Sequence, residues 1–172
     1  MARRSRYQGA WLQIVDDKNR VSIPAKLRET VEANTAAEDL RAGHNVTIAI
    51  HRQSQCLIGY DQGYLDDELD RAARIEDSRI DADGHPDYAI RRTLAGGGDQ
   101  VAFDSTGRCV LAGWQRRKAK IGKHAFFWGS IDCFEIWDPQ VLFADPAVPD
   151  VMKDACRGLM EDRGLAQDGG LL

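Results

Sequence analysis

Two five-residue strings, Asp16-Asp17-Lys18-Asn19-Arg20 and Asp104-Ser105-Thr106-Gly107-Arg108, each set an acid four residues before an arginine. An arginine fork can meet O6 and N7 of guanine together, or clamp a phosphate, so Arg20 and Arg108 are candidates for contact with nucleic acid. The acids would repel phosphate. The chemistry open to Asp16 and Asp104 is to orient the arginine and brace the turn between them. Bases gather around the first string. Residues 1–28 hold Arg3, Arg4, Arg6, Lys18, Arg20, Lys26 and Arg28 against Asp16 and Asp17, a net charge of +5. Residues 108–124 hold six bases and no acid, while residues 61–87 hold ten acids and three bases. The chain as a whole carries −4. Its charge is therefore segregated, and the local fields are stronger than the net value suggests.

The elements that must position these residues repeat. Leu12 to Pro24 and Gln100 to Ala112 both read as apolar strand, Asp-x-x-x-Arg, apolar strand. Asn19 falls opposite Gly107, and these are the residue types that best tolerate the positive φ of a tight hairpin turn. A basic stretch follows each string, Ala25 to Val31 or Gly113 to Ala119, and is predicted to form a short helix, with Pro24 fixing the entry to the first. Each half then closes with an apolar strand and a matching pair, Cys56-Leu57-Ile58-Gly59-Tyr60-Asp61 and Cys133-Phe134-Glu135-Ile136-Trp137-Asp138. That gives about four short strands per half. The first half is longer by Glu32 to His44, a polar segment expected as a surface loop. Between the halves, Leu65, Leu69, Ala72 and Ala73 predict an amphipathic helix ended by Gly84. A second helix is expected over Asp87 to Ala95, with Ile90 and Leu94 on one face and the glycines at 96–98 as its stop. Val151, Ala155 and Leu159 predict a last helix, before a tail expected to fray.

Composition excludes several classes. The 172 residues are 43% apolar and 29% charged, the proportions of a globular chain. No apolar run approaches the ~18–20 residues of a membrane span. The twin arginine at the start is followed by too short an apolar stretch for an export signal, so a cytoplasmic protein is expected. Cys56, Cys109, Cys133 and Cys156 lie far apart and form no CxxC pair, and are expected as buried small residues. The four histidines are dispersed, so neither a metal nor a cofactor is expected. The glycines at 96–98 lack the Gly-Lys-Ser/Thr of a phosphate loop, and Ser130 and His124 lack a nucleophile elbow, so no enzyme is expected. Trp11, Trp114, Trp128 and Trp137 are expected to fill a core.

Four separate motifs now agree in order and spacing with a known family. Asp16 to Glu29, the second Asp-x-x-x-Arg, the terminal Phe134-Glu135-Ile136-Trp137-Asp138 and the opening Tyr7-Gln8-Gly9 resemble the MraZ proteins, bacterial regulators of the AbrB-like superfamily. Asn19 stands where that family usually has Gly, Ala112 where it often has a second Pro, and the loop at 32–44 looks longer than usual. The resemblance implies a mainly β fold with peripheral α-helices, in which two AbrB-like repeats form one pseudo-two-fold, swapped-hairpin β-barrel. It divides the chain into a first repeat at 7–61, a helical connector at 62–98, a second repeat at 99–138 and a C-terminal helix and tail at 139–172. It implies sequence-specific binding of double-stranded DNA at repeats upstream of the division and cell-wall gene cluster, the protein's own gene included. It implies a ring-like homo-oligomer of eight or more subunits, in the cytoplasm with the nucleoid, without membrane or small-molecule substrate. Arg20, Lys18, Asn19 and Arg108, with Arg3, Arg4, Arg6, Lys26 and Arg28, are the expected DNA contacts, and Asp16 and Asp104 the orienting acids. The competing expectation is an AbrB-like protein–protein module such as the antidote of a toxin.

Overall fold

A computed structural model describes residues 4–35 and 44–166. Arg3, the greater part of the expected loop and the C-terminal tail lie outside the described residues. The described residues form eight strands and six helices. The chain runs β1 (Ala10–Ile14), β2 (Arg20–Ser22), α1 (Ala25–Asn34), β3 (Asn45–Ile50), β4 (Leu57–Tyr60), α2 (Gln62–Ser78) and α3 (Ala89–Gly97). It continues with β5 (Gly98–Ala102), β6 (Arg108–Val110), α4 (Gly113–Lys118), β7 (His124–Gly129), β8 (Phe134–Trp137), α5 (Pro139–Ala144) and α6 (Asp150–Glu161). Four strands per half and a short helix after each Asp-x-x-x-Arg string are as the sequence predicts. Helix α1 continues to Asn34, so Glu32, Ala33 and Asn34 belong to it and not to the expected loop.

β3–β4 and β7–β8 pair as local hairpins, but the strands that flank the two Asp-x-x-x-Arg turns do not. β1 and β2 leave their shared turn for different partners: β1 pairs with β7, and β2 with β6. In the same way β5 pairs with β3 and β6 with β2. The result is a six-stranded sheet in the order β1-β7-β8-β4-β3-β5 and a separate two-stranded ribbon, β2-β6. Exchanging β1 with β5, β2 with β6, β3 with β7 and β4 with β8 reproduces both orders. The expected barrel is not closed by hydrogen bonds among the described residues, since β1 and β5 are the outer strands of the sheet and the ribbon stands apart from it.

One core lies between sheet and ribbon. Val21, Ile23, Leu27, Cys109, Leu111, Ile121, Phe127, Phe134 and Ile136 meet there, with Tyr7 and Leu57. A second apolar cluster lies on the far side of the sheet, where Leu12, Phe126 and Trp137 receive Met152, Cys156 and Met160 of α6. The predicted inward face of α6 is rotated by one residue: Val151 is exposed, and Ala155 and Leu159 are only partly buried. The helix over the first half departs further. α2 stops at Ser78, well before Gly84, which instead sits at φ +83 in a turn closed by Asp87 N–H to the Arg79 carbonyl. α2 buries Glu68, Ala72 and Glu76, while Leu69 is exposed. Among the tryptophans, Trp137 is buried and Trp11 and Trp128 pack against the clusters, but Trp114 is 45% exposed. Cys56, Cys109 and Cys156 are buried and Cys133 half-buried.

Candidate nucleic-acid interface

The two turns are built alike. In the first, Asp16 Oδ1 accepts the backbone N–H groups of Lys18 and Arg20, both at 2.9 Å, and Oδ2 takes Arg20 Nε at 2.6 Å. In the second, Asp104 Oδ1 accepts the N–H groups of Thr106 at 2.9 Å and Arg108 at 3.0 Å, and the Thr106 hydroxyl at 2.7 Å; Oδ2 takes Arg108 Nε at 3.0 Å. Asn19 at φ 60 and Gly107 at φ 84 supply the left-handed residue that each turn needs. The two acids are therefore turn braces first. The Arg20 amide, above all, holds the Asp16 carboxyl below the usual carboxylate range. The Thr106 hydroxyl, above all, does the same for Asp104. Both stay ionised at neutral pH, and each holds its arginine by Nε. The two terminal nitrogens of each guanidinium have no protein acceptor among the described residues. Those two nitrogens are the pair that a bidentate contact with guanine or phosphate would use.

The ribbon brings the two arginines together. Its register sets Arg20 opposite Val110 and Ser22 opposite Arg108. Side chains alternate along a strand, so Val21 and Cys109 turn into the core while Arg20, Ser22, Arg108 and Val110 line the outer face. Arg20 and Arg108 are diagonal neighbours on that face, about 7–8 Å apart between backbones. Their side chains are 47% and 56% exposed. A two-stranded antiparallel ribbon is one of the two elements that the major groove of B-DNA admits.

The other predicted contacts divide. Lys18 is exposed at the tip of the first turn. Lys26 is exposed on α1, with Glu29 3.7 Å away. Arg28 lies against the second turn and braces it: its Nε donates to the Ile23 carbonyl at 3.1 Å and Nη1 to that of Ser105 at 3.4 Å. A Cβ at Gly107 would come within 2.5 Å of Arg28 Nε, so the glycine is needed for close approach as well as for φ. Asn19 is likewise engaged, its Oδ1 accepting from Arg116 at 2.9 Å.

Arg4 and Arg6 are not brought to the turns. Tyr7 bridges to Ile131 at one end of β7, and Val15 bonds Lys123 at the other. Eight residues of extended chain separate them, about 26 Å at the rise of a strand. At that far end Arg4 meets the buried Asp61 at 2.6 Å and Arg6 pairs with Asp132. Asp61 also accepts the Tyr7 hydroxyl at 2.7 Å and Asn34 Nδ2 at 2.9 Å, so this cluster fastens the N-terminal segment and α1 to the start of α2. Arg3 lies outside the described residues.

The sequence reading counts Arg116 among the bases of residues 108–124 and misses its bracing role. Its Nη1 donates to the carbonyl of Asp16 at 3.0 Å as well as to Asn19, and its Nε and Nη2 to the carbonyls of Ile121 and Gly122. Arg116 does for the first turn what Arg28 does for the second, each reaching across from the other half. The repeat itself carries the signal: extending its alignment by eight residues sets Arg28 against Arg116.

A family model described as "MraZ protein, putative antitoxin-like" matches residues 94–141, from the end of α3 through both arms of the second turn. Proteins named Transcriptional regulator MraZ from Mycobacterium avium and from Mycobacterium tuberculosis are each 31% identical to this chain over 134 residues, or 78% of this chain and 82% of theirs. With that identity over that share of both chains, the protein belongs to the MraZ family.

Proposed function

We propose that this chain is a transcriptional regulator that binds double-stranded DNA through the outer face of the β2–β6 ribbon. The observation that carries the reading is the pairing of the two Asp-x-x-x-Arg turns into one surface, with both guanidinium forks free toward solvent. Arg20 and Arg108 read bases, Lys18 and Lys26 contact phosphate, Asp16 and Asp104 orient the arginines, and Arg28 and Arg116 hold the turns. The curated relatives are named as transcriptional regulators, which fits this role. In this reading residues 7–61 and 99–138 are two AbrB-like repeats that exchange strands about a pseudo-two-fold. The connector at 62–98 and the segment at 139–172 cover them. The protein works in the cytoplasm, at the nucleoid, as a ring-like homo-oligomer, on repeated sites upstream of the division and cell-wall genes and of its own gene. One ribbon covers few base pairs, and repeated sites met by repeated subunits raise affinity without new contacts.

The test is fluorescence anisotropy with a duplex from upstream of the protein's own gene and a scrambled duplex, across a salt series. The wild type is expected to prefer the upstream duplex. Arg20→Ala with Arg108→Ala is expected to abolish that preference while leaving residual, salt-sensitive binding, because base contacts specify and phosphate contacts only position. Equal affinity of the wild type for both duplexes, or an unchanged preference in the double variant, overturns the reading.

A further inference from the structure

The two turns share a design but not a neighbourhood. Each turn takes a backbone bond from the chain leaving the partner strand, Leu111 N–H to the Asn19 carbonyl at 2.9 Å and Ile23 N–H to the Gly107 carbonyl at 2.8 Å, but the helices that follow differ; beside the first turn the chain enters α4 two residues after Leu111. Trp114, Arg117 and Lys118 stand at i, i+3 and i+4 on that helix and so share a face. All three are exposed. A Cβ at Gly113 would lie 3.2 Å from Arg117 Nη1 and 3.7 Å from Asn19 Nδ2, so the guanidinium and the turn come within about 7 Å of each other. No carboxylate pairs with Arg117 or Lys118 among the described residues. Beside the second turn the same positions on α1 hold Lys26, Glu29 and Thr30. There Lys26 is offset by Glu29, and Thr30 is buried with its hydroxyl turned back to the Lys26 carbonyl. Leaving the two bracing arginines aside, the first side sets Lys18, Arg20, Arg117 and Lys118 against Asp16 and Asp17. The second sets Arg108 and Lys26 against Asp104 and Glu29. One side of the ribbon is positive and carries an open indole, and the other is neutral.

We infer that Trp114, Arg117 and Lys118 form a flank of the DNA interface present on the first-turn side only, so that each subunit's footprint extends further to one side of the bases it reads. The inference rests on the DNA-binding reading above. The chemistry is that of a duplex backbone: Arg117 and Lys118 take phosphates, and the indole lies along the deoxyribose face between them, an apolar body with a polar N–H edge. Arg116 holds α4 to the turn through Asp16 and Asn19, so the flank is rigidly placed with respect to Arg20.

The experiment trims the upstream duplex to one preferred site and shortens it from either end. For the wild type, shortening one end is expected to weaken binding several-fold and shortening the other to change little. Trp114→Ala with Arg117→Gln and Lys118→Gln is expected to erase that difference and keep the preference for the upstream over the scrambled sequence. The log–log salt slope should fall by nearly two, about 0.9 for each phosphate that is no longer neutralised. Since α4 is short, Arg117→Gln with Lys118→Gln alone serves as the milder variant, expected to give the same slope change with Trp114 in place. Glu29→Arg, on the opposite side, is expected to add sensitivity at the other end. A wild type that prefers the upstream sequence but is indifferent to which end is cut overturns the flank and spares the DNA reading. So does a triple variant that keeps the wild-type asymmetry. A wild type with no preference for the upstream sequence overturns both.

Discussion

On one outer surface of the sheet, α6 lays Met152, Cys156 and Met160 over Leu12, Phe126 and Trp137. On the surface related to it by strand exchange, α2 buries Glu68, Ala72 and Glu76. The ladders beneath are the same. Leu12 pairs with Phe126 and Phe126 with Trp137; in the other half Gln100 pairs with Thr47 and Thr47 with Tyr60. The trio is apolar in one case and largely polar in the other. An apolar helix seals the first. Over the second, α2 and α3 leave a groove of about 370 Å³ lined by Leu65, Leu69 and Leu94 together with Thr47, Tyr60 and Gln100. α2 is held by charge: Glu68 takes Arg52 at 2.8 Å and pairs with Arg71, and Glu76 pairs with Arg91 of α3. One skeleton thus supports a dry cover and an ionic one, and the two should fail under different stresses.

The largest effect should come from the dry cover. Met160 is 1% exposed within the apolar cluster beneath α6. Met160→Ala is expected to cost about 2–5 kcal/mol of global stability, read by urea unfolding, because a buried Met truncated to Ala loses transfer energy and leaves a cavity. Leu69→Ala on α2 is the matched control. At 43% exposure it is expected to change stability by no more than ~0.5 kcal/mol. Equal costs at the two positions would break the comparison.

An intermediate effect should come from the ionic cover. Glu76 is 2% exposed, pairs with Arg91, and has its Oε1 buried with no partner among the described residues. Arg91→Ala strands the carboxylate. The cost of stranding a buried charge is several kcal/mol, reduced here to about 1–2 kcal/mol because the Arg91 side chain is 53% exposed. Adding Glu76→Leu is expected to recover most of that loss, since an apolar replacement of both partners removes the desolvation penalty. Hydrogen exchange should show the loss confined to α2 and α3. A double variant less stable than Arg91→Ala alone would show that Glu76 is held by more than its ion pair.

Some of this structure is readable from residues and some is not. The turns are, because Asp-x-x-x-Arg with Asn19 or Gly107 at the left-handed position specifies a local structure that needs no distant partner. The exchange of strand partners is not readable from the residues themselves; a swapped hairpin is expected only because the family resemblance implies it. Alternation in β1 and β2 tells which side of each strand is buried and nothing about what lies beside it, so a local hairpin is the natural expectation. The faces of α2 and α6 show the same limit. Leu65 and Leu69 are apolar at helical spacing, yet the surface below them offers Thr47 and Gln100, with Arg52 and Arg91 near enough to hold carboxylates. On α6, Val151-Ala155-Leu159 and Met152-Cys156-Met160 are both apolar stripes one residue apart, and only the aromatic surface of β7 and β8 selects between them. Within the site, Arg20 and Arg108 are legible as a repeated pair. Arg28 reads as a phosphate contact because a basic residue near a turn looks the same in sequence whether it faces solvent or its own backbone.

The smallest effect concerns acid. His51, at the end of β3, accepts at Nδ1 the backbone N–H groups of Gln53 at 3.0 Å and Ser54 at 2.9 Å. The loop it shapes carries Arg52, which holds Glu68 on α2. Burial, chiefly, pushes the His51 imidazole below its ordinary value, with Arg52 adding to the shift and Glu135 opposing it. A proton on Nδ1 would replace the acceptor with a donor and break both bonds. The unfolded chain takes up that proton near pH 6.5 and the folded chain only at lower pH. The stabilising contribution is therefore fully present above about pH 6.5 and declines as pH falls through that value toward the folded pKa. Exchange protection at Gln53, Ser54 and α2, corrected for the intrinsic pH dependence of exchange, is expected to drop between pH 7.5 and 5.5. Protection in α6 should drop less. His124 on β7 is also lowered, chiefly by burial and also by Lys123 and Arg163, so acid acts on both and global unfolding alone does not separate the two. His51→Asn does, because its side-chain oxygen can still accept from both amides and does not titrate. That variant is expected to hold α2 protection flat across the range while α6 follows the wild type. A drop in α2 that survives in His51→Asn would move the acid sensitivity of the ionic cover from the loop to its carboxylates.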